Sequence, residues 1–213
     1  MAKLKKAISV DQLLKTKFIE IPLTGRFREL LGRPEQGGTW FIKGKSGQGK
    51  TTLILQLIKE LSKFGKVYYN SLEEGARLSM QDAVKEQNLT ESEKKNINFL
   101  HREPIEDMRV RLKRSRGVRF CVIDSIQYAF MSLQNYKALQ SENPLIVFII
   151  NSHVQGKNPV GSLARHIEYD ADIKIDVEGF KAFSKSRASR GKLTKPYVIW
   201  HQGAEDYWND LKL

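Results

Sequence analysis

The sequence holds a single cysteine, Cys121. One thiol can build neither an internal disulfide nor a four-cysteine zinc site, and the chain suits a reducing compartment. Long apolar runs are missing as well. The longest, residues 145–150, is strand-sized and falls well short of the ~18 apolar residues of a membrane span. Residues 1–7 are basic but lack the apolar stretch of a signal peptide. Internal repeats, low-complexity tracts and linkers are absent. These absences predict a cytoplasmic protein with no membrane segment.

Acid is the other shortage. Against 36 Lys+Arg stand only 24 Asp+Glu, for a formal net charge of +12. An excess of that sign favours a polyanionic partner, nucleic acid ahead of an acidic membrane surface. A solvated basic face with no partner gives the same number. What is present is ordinary for a globular protein: 40% hydrophobic and 28% charged residues in a chain of 213. That length fits one domain, or one domain with an appendage.

Short apolar runs alternate with amphipathic stretches. Residues 39–43 read as a strand and 51–64 as a helix, with apolar positions 53, 54, 57, 58, 61 and 64 at helical spacing and Gly65 as the stop. Lys66–Ser71 reads as a strand, 76–87 as a helix, and Thr90 with Glu93 has capping-box spacing. Ile97–His101 is a short strand and Ile105–Arg114 a basic helix. Val118–Asp124 and 145–151 are apolar enough for strands buried on both faces. Residues 173–177, 180–184 and 197–201 read as further strands, joined by Gly179 and by the basic segment 185–195. Strands alternating with helices, then strands in succession, predict an α/β domain. Its sheet is mostly parallel and is extended by antiparallel strands near the C-terminus.

The strongest local signal is Gly44-Lys45-Ser46-Gly47-Gln48-Gly49-Lys50-Thr51, followed by Thr52. It fits the phosphate-loop pattern at every fixed position, with a strand before it and a helix after it. Glycines let successive backbone N–H groups turn inward as an anion nest, and the helix adds its positive end. Lys50 can reach the β- and γ-phosphates, and the Thr51 hydroxyl can ligate Mg²⁺. Asp124 ends an apolar strand at the carboxyl edge of the expected sheet, where a Mg²⁺-side acid belongs. Strand 66–71 runs into Leu72-Glu73-Glu74-Gly75. A carboxylate there can accept a proton from an attacking water. Glu73 is the first candidate and Glu74 its rival.

These segments, with Phe120–Gln127 and Asn151-Ser152-His153, stand in the order found in RecA-like ATPases. The chain resembles the cores of RadA-type recombination ATPases and DnaB-type replicative helicases over residues 18–203. The resemblance implies a P-loop NTPase fold with a RecA-like core, one domain over 18–213 and an N-terminal arm over 1–17. It implies ATP as substrate and Mg²⁺ as cofactor, with Glu73 as catalytic glutamate, Asp124 near the metal and His153 as sensor of the γ-phosphate. Residues 155–162, with Gly156, Lys157, Pro159 and Gly161, resemble a mobile loop facing nucleic acid. Lys185 and Arg187 match the basic pair that reaches a neighbour's γ-phosphate, with Arg190 as rival. The expected protein acts on DNA, single-stranded DNA favoured, in recombination, repair or replication. It works as a homo-oligomer, a hexameric ring or a filament. RadA-type proteins add a zinc finger and a protease-like domain, and DnaB-type proteins a helical N-terminal domain. None fits in this length, so the resemblance is to a bare core. That motivates an alternative: a nucleotide-switched assembly or loading factor with slow hydrolysis and no motor activity.

The basic residues cluster. Arg102, Arg109, Arg111, Lys113, Arg114, Arg116 and Arg119 precede the Asp124 strand. Lys181, Lys185, Arg187, Arg190, Lys192 and Lys195 form a second group, and Lys3, Lys5 and Lys6 a third. Such groups suit phosphate-backbone contacts, whereas Phe183 and Tyr197 offer little base stacking. Cys121 reads as core. Tyr207 and Trp208 read as packed against the body.

Overall fold

Two apolar runs, residues 118–124 and 145–151, decide the architecture, because each must be covered on both faces. The computed structural model describes residues 7–187 and 194–210. Strands β1 (Thr39–Gly44), β2 (Lys66–Ser71), β3 (Ile97–His101), β4 (Val118–Asp124), β5 (Val147–Gln155) and β7 (Ile173–Glu178) run parallel in the order β3-β2-β4-β5-β1-β7. Strands β8 (Lys181–Ser186) and β9 (Tyr197–Val198) extend this edge antiparallel. The α/β sheet is thus mostly parallel with antiparallel C-terminal strands, as the alternation of elements predicts.

Side chains alternate across each strand, and the two sets form two cores. One face carries Trp40, Ile42, Tyr69, Val122 and Ile149 against α2 (Gly25–Leu31) and α3 (Lys50–Leu61). The other carries Phe41, Cys121, Ile123, Phe148 and Ile150. It is covered by α6 (Ile105–Arg114), α7 (Leu133–Glu142) and α8 (Ser162–Asp170). Burial pushes the Cys121 thiol up to about 12, so it stays protonated and behaves as core.

Helices α4 (Leu78–Lys85) and α5 (Glu91–Asn96) follow β2, and the Thr90–Glu93 capping box closes reciprocally. At the N-terminus α1 (Val10–Lys15) is capped by Ser9 and Gln12 but buries no residue. Among the described residues no helix is long and apolar enough to cross a membrane.

Three expectations need correction. The strand expected over 197–201 stops at Val198, and His201 opens helix α9 (His201–Asp210). Its side chains anchor it to the β7–β8 turn: the Trp208 indole donates to the Gly179 carbonyl at 3.0 Å. The segment expected as a mobile loop over 155–162 contains a short hairpin: strand β6 (Asn158–Pro159) pairs back on Val154 and Gln155. Its turn uses Gly156 at φ +64°. Helix α7 was not expected, because its apolar content is low. Ser132 caps it, and Tyr136 and Leu139, three residues apart, are buried.

Ile149 lies mid-strand with none of its surface exposed. Ile149→Ala should cost about 3 kcal/mol, the usual range for emptying a fully buried aliphatic site, read from urea unfolding. A cost below about 1 kcal/mol would contradict this packing.

Candidate active site

Parallel strands deliver their carboxyl ends to one edge, and here the register brings the chemical groups level. Gly44 of β1 pairs with His153 of β5, and Ser71 of β2 pairs with Asp124 of β4. The switch from β4 and β5 to β1 opens a crevice at that edge, the usual ligand site of such sheets.

The phosphate-loop sequence turns from β1 into α3. Gly47 and Gly49 lie at φ +73° and +94°, in the left-handed region open to glycine. Gly44 passes so close to β7 that a Cβ would stand 2.3 Å from the Val177 carbonyl oxygen. No side chain caps the N-terminus of α3, so its first N–H groups remain for an anion. Lys50 is buried and folds over the loop, donating to the Lys45 carbonyl at 2.9 Å. Burial lowers its pKa, while the Asp124 and Glu73 carboxylates pull it back up.

Asp124 is only 6% exposed. It accepts from the Tyr69 hydroxyl, and from the Asn151 amide at 2.5 Å. Burial lifts its pKa above the ordinary value despite those two donors and Lys50, and Glu73 adds to the rise. The peptide that follows, Asp124–Ser125, is cis.

Glu73 reaches the same cleft. Its Oε2 lies 2.8 Å from His153 Nε2 and accepts from the Ser125 hydroxyl at 3.1 Å. The rival Glu74 is bonded to Ser79 of α4. His153 is itself positioned: its N–H donates to Gln127 at 3.2 Å, and Gln127 also donates to Ser152 and to the Val160 carbonyl.

Ser46, Gly47, Gly49, Lys50, Thr51 and Thr52 share one cleft of about 580 Å³ with Glu73, Glu74, Asp124, Asn151, His153 and Phe180. Gly44, Lys45 and Gln48 face a neighbouring cleft instead, and Gln48 accepts from the Gly179 N–H. A larger cavity, about 920 Å³, lies beside α4 and β3, away from the phosphate loop. Volume does not mark the chemistry; the converging polar groups do.

Lys185 and Arg187 lie outside the phosphate-loop cleft. Lys185 pairs with Lys174 across β7 and β8, and Arg187 donates to the Asp170 carbonyl at 2.7 Å. Arg190 lies outside the described residues. Sequence reasoning missed Tyr69, Asn151, Ser125 and Phe180 as site residues. Asn151, the polar residue that follows the longest apolar run in the sequence, was the available signal.

The residues present fit Mg²⁺. Thr51 and Asp124 offer hard oxygens, and the buried Asn151 Oδ1 has no partner among the described residues. No group of three or more His, Cys, Asp or Glu among those residues is arranged to hold a metal. Mg²⁺ needs no such cage, because it keeps several waters and takes phosphate oxygens.

No protein-family model and no curated protein matches the sequence. Solved structures do match. Among them is a KaiC-like protein from the hyperthermophilic archaeon Pyrococcus horikoshii OT3, at 20% identity and a TM-score of 0.60. The match covers 85% of this chain and 93% of that one. The fold is RecA-like. In that RecA-like sheet the crevice between β4, β5 and β1 is where the phosphate loop, Asp124 and Glu73 meet.

Because burial raises the Asp124 pKa, its ionised form weighs against the folded, nucleotide-free chain at neutral pH. Relief comes as pH falls through the raised value. Asp124→Asn should therefore raise the nucleotide-free melting temperature by a few degrees at pH 7. The gain should vanish below the ordinary carboxylate range. An equal or lower melting temperature at pH 7 contradicts the charge assignment.

Proposed function

We propose that the chain is a Mg²⁺-dependent ATPase. The observation that carries this reading is the convergence of Lys50, Glu73, Asp124 and His153 on one phosphate-sized cleft. Backbone N–H groups of the loop and α3 hold the triphosphate, and Lys50 sits against the β- and γ-phosphates. Thr51 would hold Mg²⁺ through its hydroxyl, and the Asp124 carboxylate would serve the metal's water shell. The metal, when bound, offsets charge on the phosphate oxygens. Glu73 orients the attacking water and takes its proton on a carboxylate oxygen. His153, within 2.8 Å of that carboxylate, reports the γ-phosphate to it. The resemblance to RadA-type and DnaB-type cores favours DNA as the polymer, single-stranded before duplex. It also favours a ring or filament in which Lys185 or Arg187 completes a neighbour's site.

The charge supports a polyanion less than its sum suggests. On α6, Arg109 and Lys113 pair with Glu142, and Arg111 pairs with Glu103. Those cations are partly neutralised within the chain. A second reading has its own observation. Glu73 is held at once by His153 and Ser125, a resting arrangement that suits slow, switched hydrolysis in an assembly or loading factor.

Glu73→Gln should keep ATP binding and cut turnover by about 10²–10⁴-fold, the usual worth of a general base. Undiminished turnover would remove Glu73 from that role. Turnover should also rise with single-stranded DNA, and the rise should fade as salt increases, since phosphate contacts release counterions. Rates that ignore DNA and RNA alike at every salt concentration favour the switch.

A further inference from the structure

The Glu73 loop is tied to a strand that has no other part in the site. Residues 71–77 lead from β2 to α4, and their neighbour is the end of β3, the edge strand. His101 closes β3, and its Nδ1 accepts the Ala76 N–H at 2.8 Å. An accepting Nδ1 is unprotonated, so the ring proton resides on Nε2. Arg102 follows at φ +51°, a conformation uncommon outside glycine. It turns its guanidinium onto the same loop, donating to the Glu73 carbonyl at 2.9 Å and the Glu74 carbonyl at 3.3 Å. Its own N–H donates to the Ser71 carbonyl.

The contact is close enough to select the loop's residues. A Cβ on Gly75 would stand 2.7 Å from His101 Cε1 and 2.8 Å from Nδ1. Gly75 also lies at φ +73°, and its N–H donates to the Ser71 hydroxyl at 2.9 Å. From the opposite side the Glu73 N–H donates to the Asp124 carbonyl at 3.2 Å. The Glu73 backbone is thus held between β3 and β4 while its carboxylate meets His153 and Ser125.

We propose that His101 and Arg102 are positioning residues, a clamp on the edge strand that sets where the Glu73 carboxylate stands. The proposal rests on the ATPase reading above for its catalytic consequence, though not for the clamp itself. A misplacement of about 1 Å in a reacting group can cost as much as 10²-fold in rate. Binding of the triphosphate rests on the phosphate loop, which the clamp does not touch. Loss of the clamp should therefore lower kcat and leave the KM for ATP in place.

Three substitutions separate clamp from fold. In His101→Asn the amide oxygen occupies the position of Nδ1 and can still accept, whereas His101→Ala cannot. Arg102→Asn suits the left-handed backbone and removes only the guanidinium. In the full-length chain, His101→Ala and Arg102→Asn should each lower kcat about 10-fold with KM for ATP unchanged, and His101→Asn should stay near wild type. Amide hydrogen exchange at Ala76 reads the clamp without hydrolysis. It should speed up in His101→Ala and remain slow in His101→Asn. Unchanged kcat in both clamp variants overturns the role, as does His101→Asn falling with His101→Ala. Equal exchange at Ala76 in wild type and His101→Ala overturns the clamp. Undiminished turnover in Glu73→Gln instead removes Glu73 as the base, and absence of ATP turnover in the wild-type chain overturns the ATPase reading; the exchange data at Ala76 test the clamp apart from both.

Discussion

A carboxylate and an ammonium share the buried end of one parallel sheet, and the organisation of the site follows from that. Asp124 and Lys50 are both largely out of water, and burial pushes each toward its neutral form. Their mutual attraction works against that push. So do the two donors on Asp124, the Tyr69 hydroxyl and the Asn151 amide. An arrangement of this kind does not favour the empty fold. It favours a ligand that brings its own charge and hydrogen-bonding groups, which is the demand a metal-bound triphosphate meets.

The sheet order makes such a site possible. β4 and β5 carry Asp124 and Asn151, β1 carries the phosphate loop, and β2 carries the Glu73 loop. Two apolar layers hold these strands rigid, so the polar groups at their ends have little freedom. The Glu73 carboxylate is the exception. It sits on a loop, half-buried, with its position set by hydrogen bonds from β3, β4 and β5. Strand β3 thus matters to the site although three strands separate it from β1 and the phosphate loop.

The phosphate loop was legible because its chemistry is local: consecutive backbone groups need glycine at fixed positions, and the sequence supplies them. Asp124 was legible as the polar end of an apolar strand. The different surroundings of Glu73 and Glu74 were not, since adjacent residues carry the same local signal. Ser79 holds Glu74, and His153 meets Glu73 from 80 residues away. Tyr69 and Asn151 escaped notice for the same reason, reaching Asp124 across 55 and 27 residues. The basic cluster before β4 read as freer than it is because its partner Glu142 lies on α7, a helix too polar to anticipate. What failed at the C-terminus was a short apolar run, residues 197–199, that continues into a helix instead of a longer strand.

The cleft closed by Lys50, Asp124 and Glu73 is proposed as the nucleotide site. A crystal structure of the chain with Mg²⁺ and a non-hydrolysable ATP analogue tests it most directly. The phosphates should be cradled by the backbone of residues 45–50, with a metal against Thr51 on the Asp124 side. His153 should turn from Glu73 toward the γ-phosphate. A nucleotide seated in the larger cavity beside α4, or phosphates that make no contact with the loop, would contradict it.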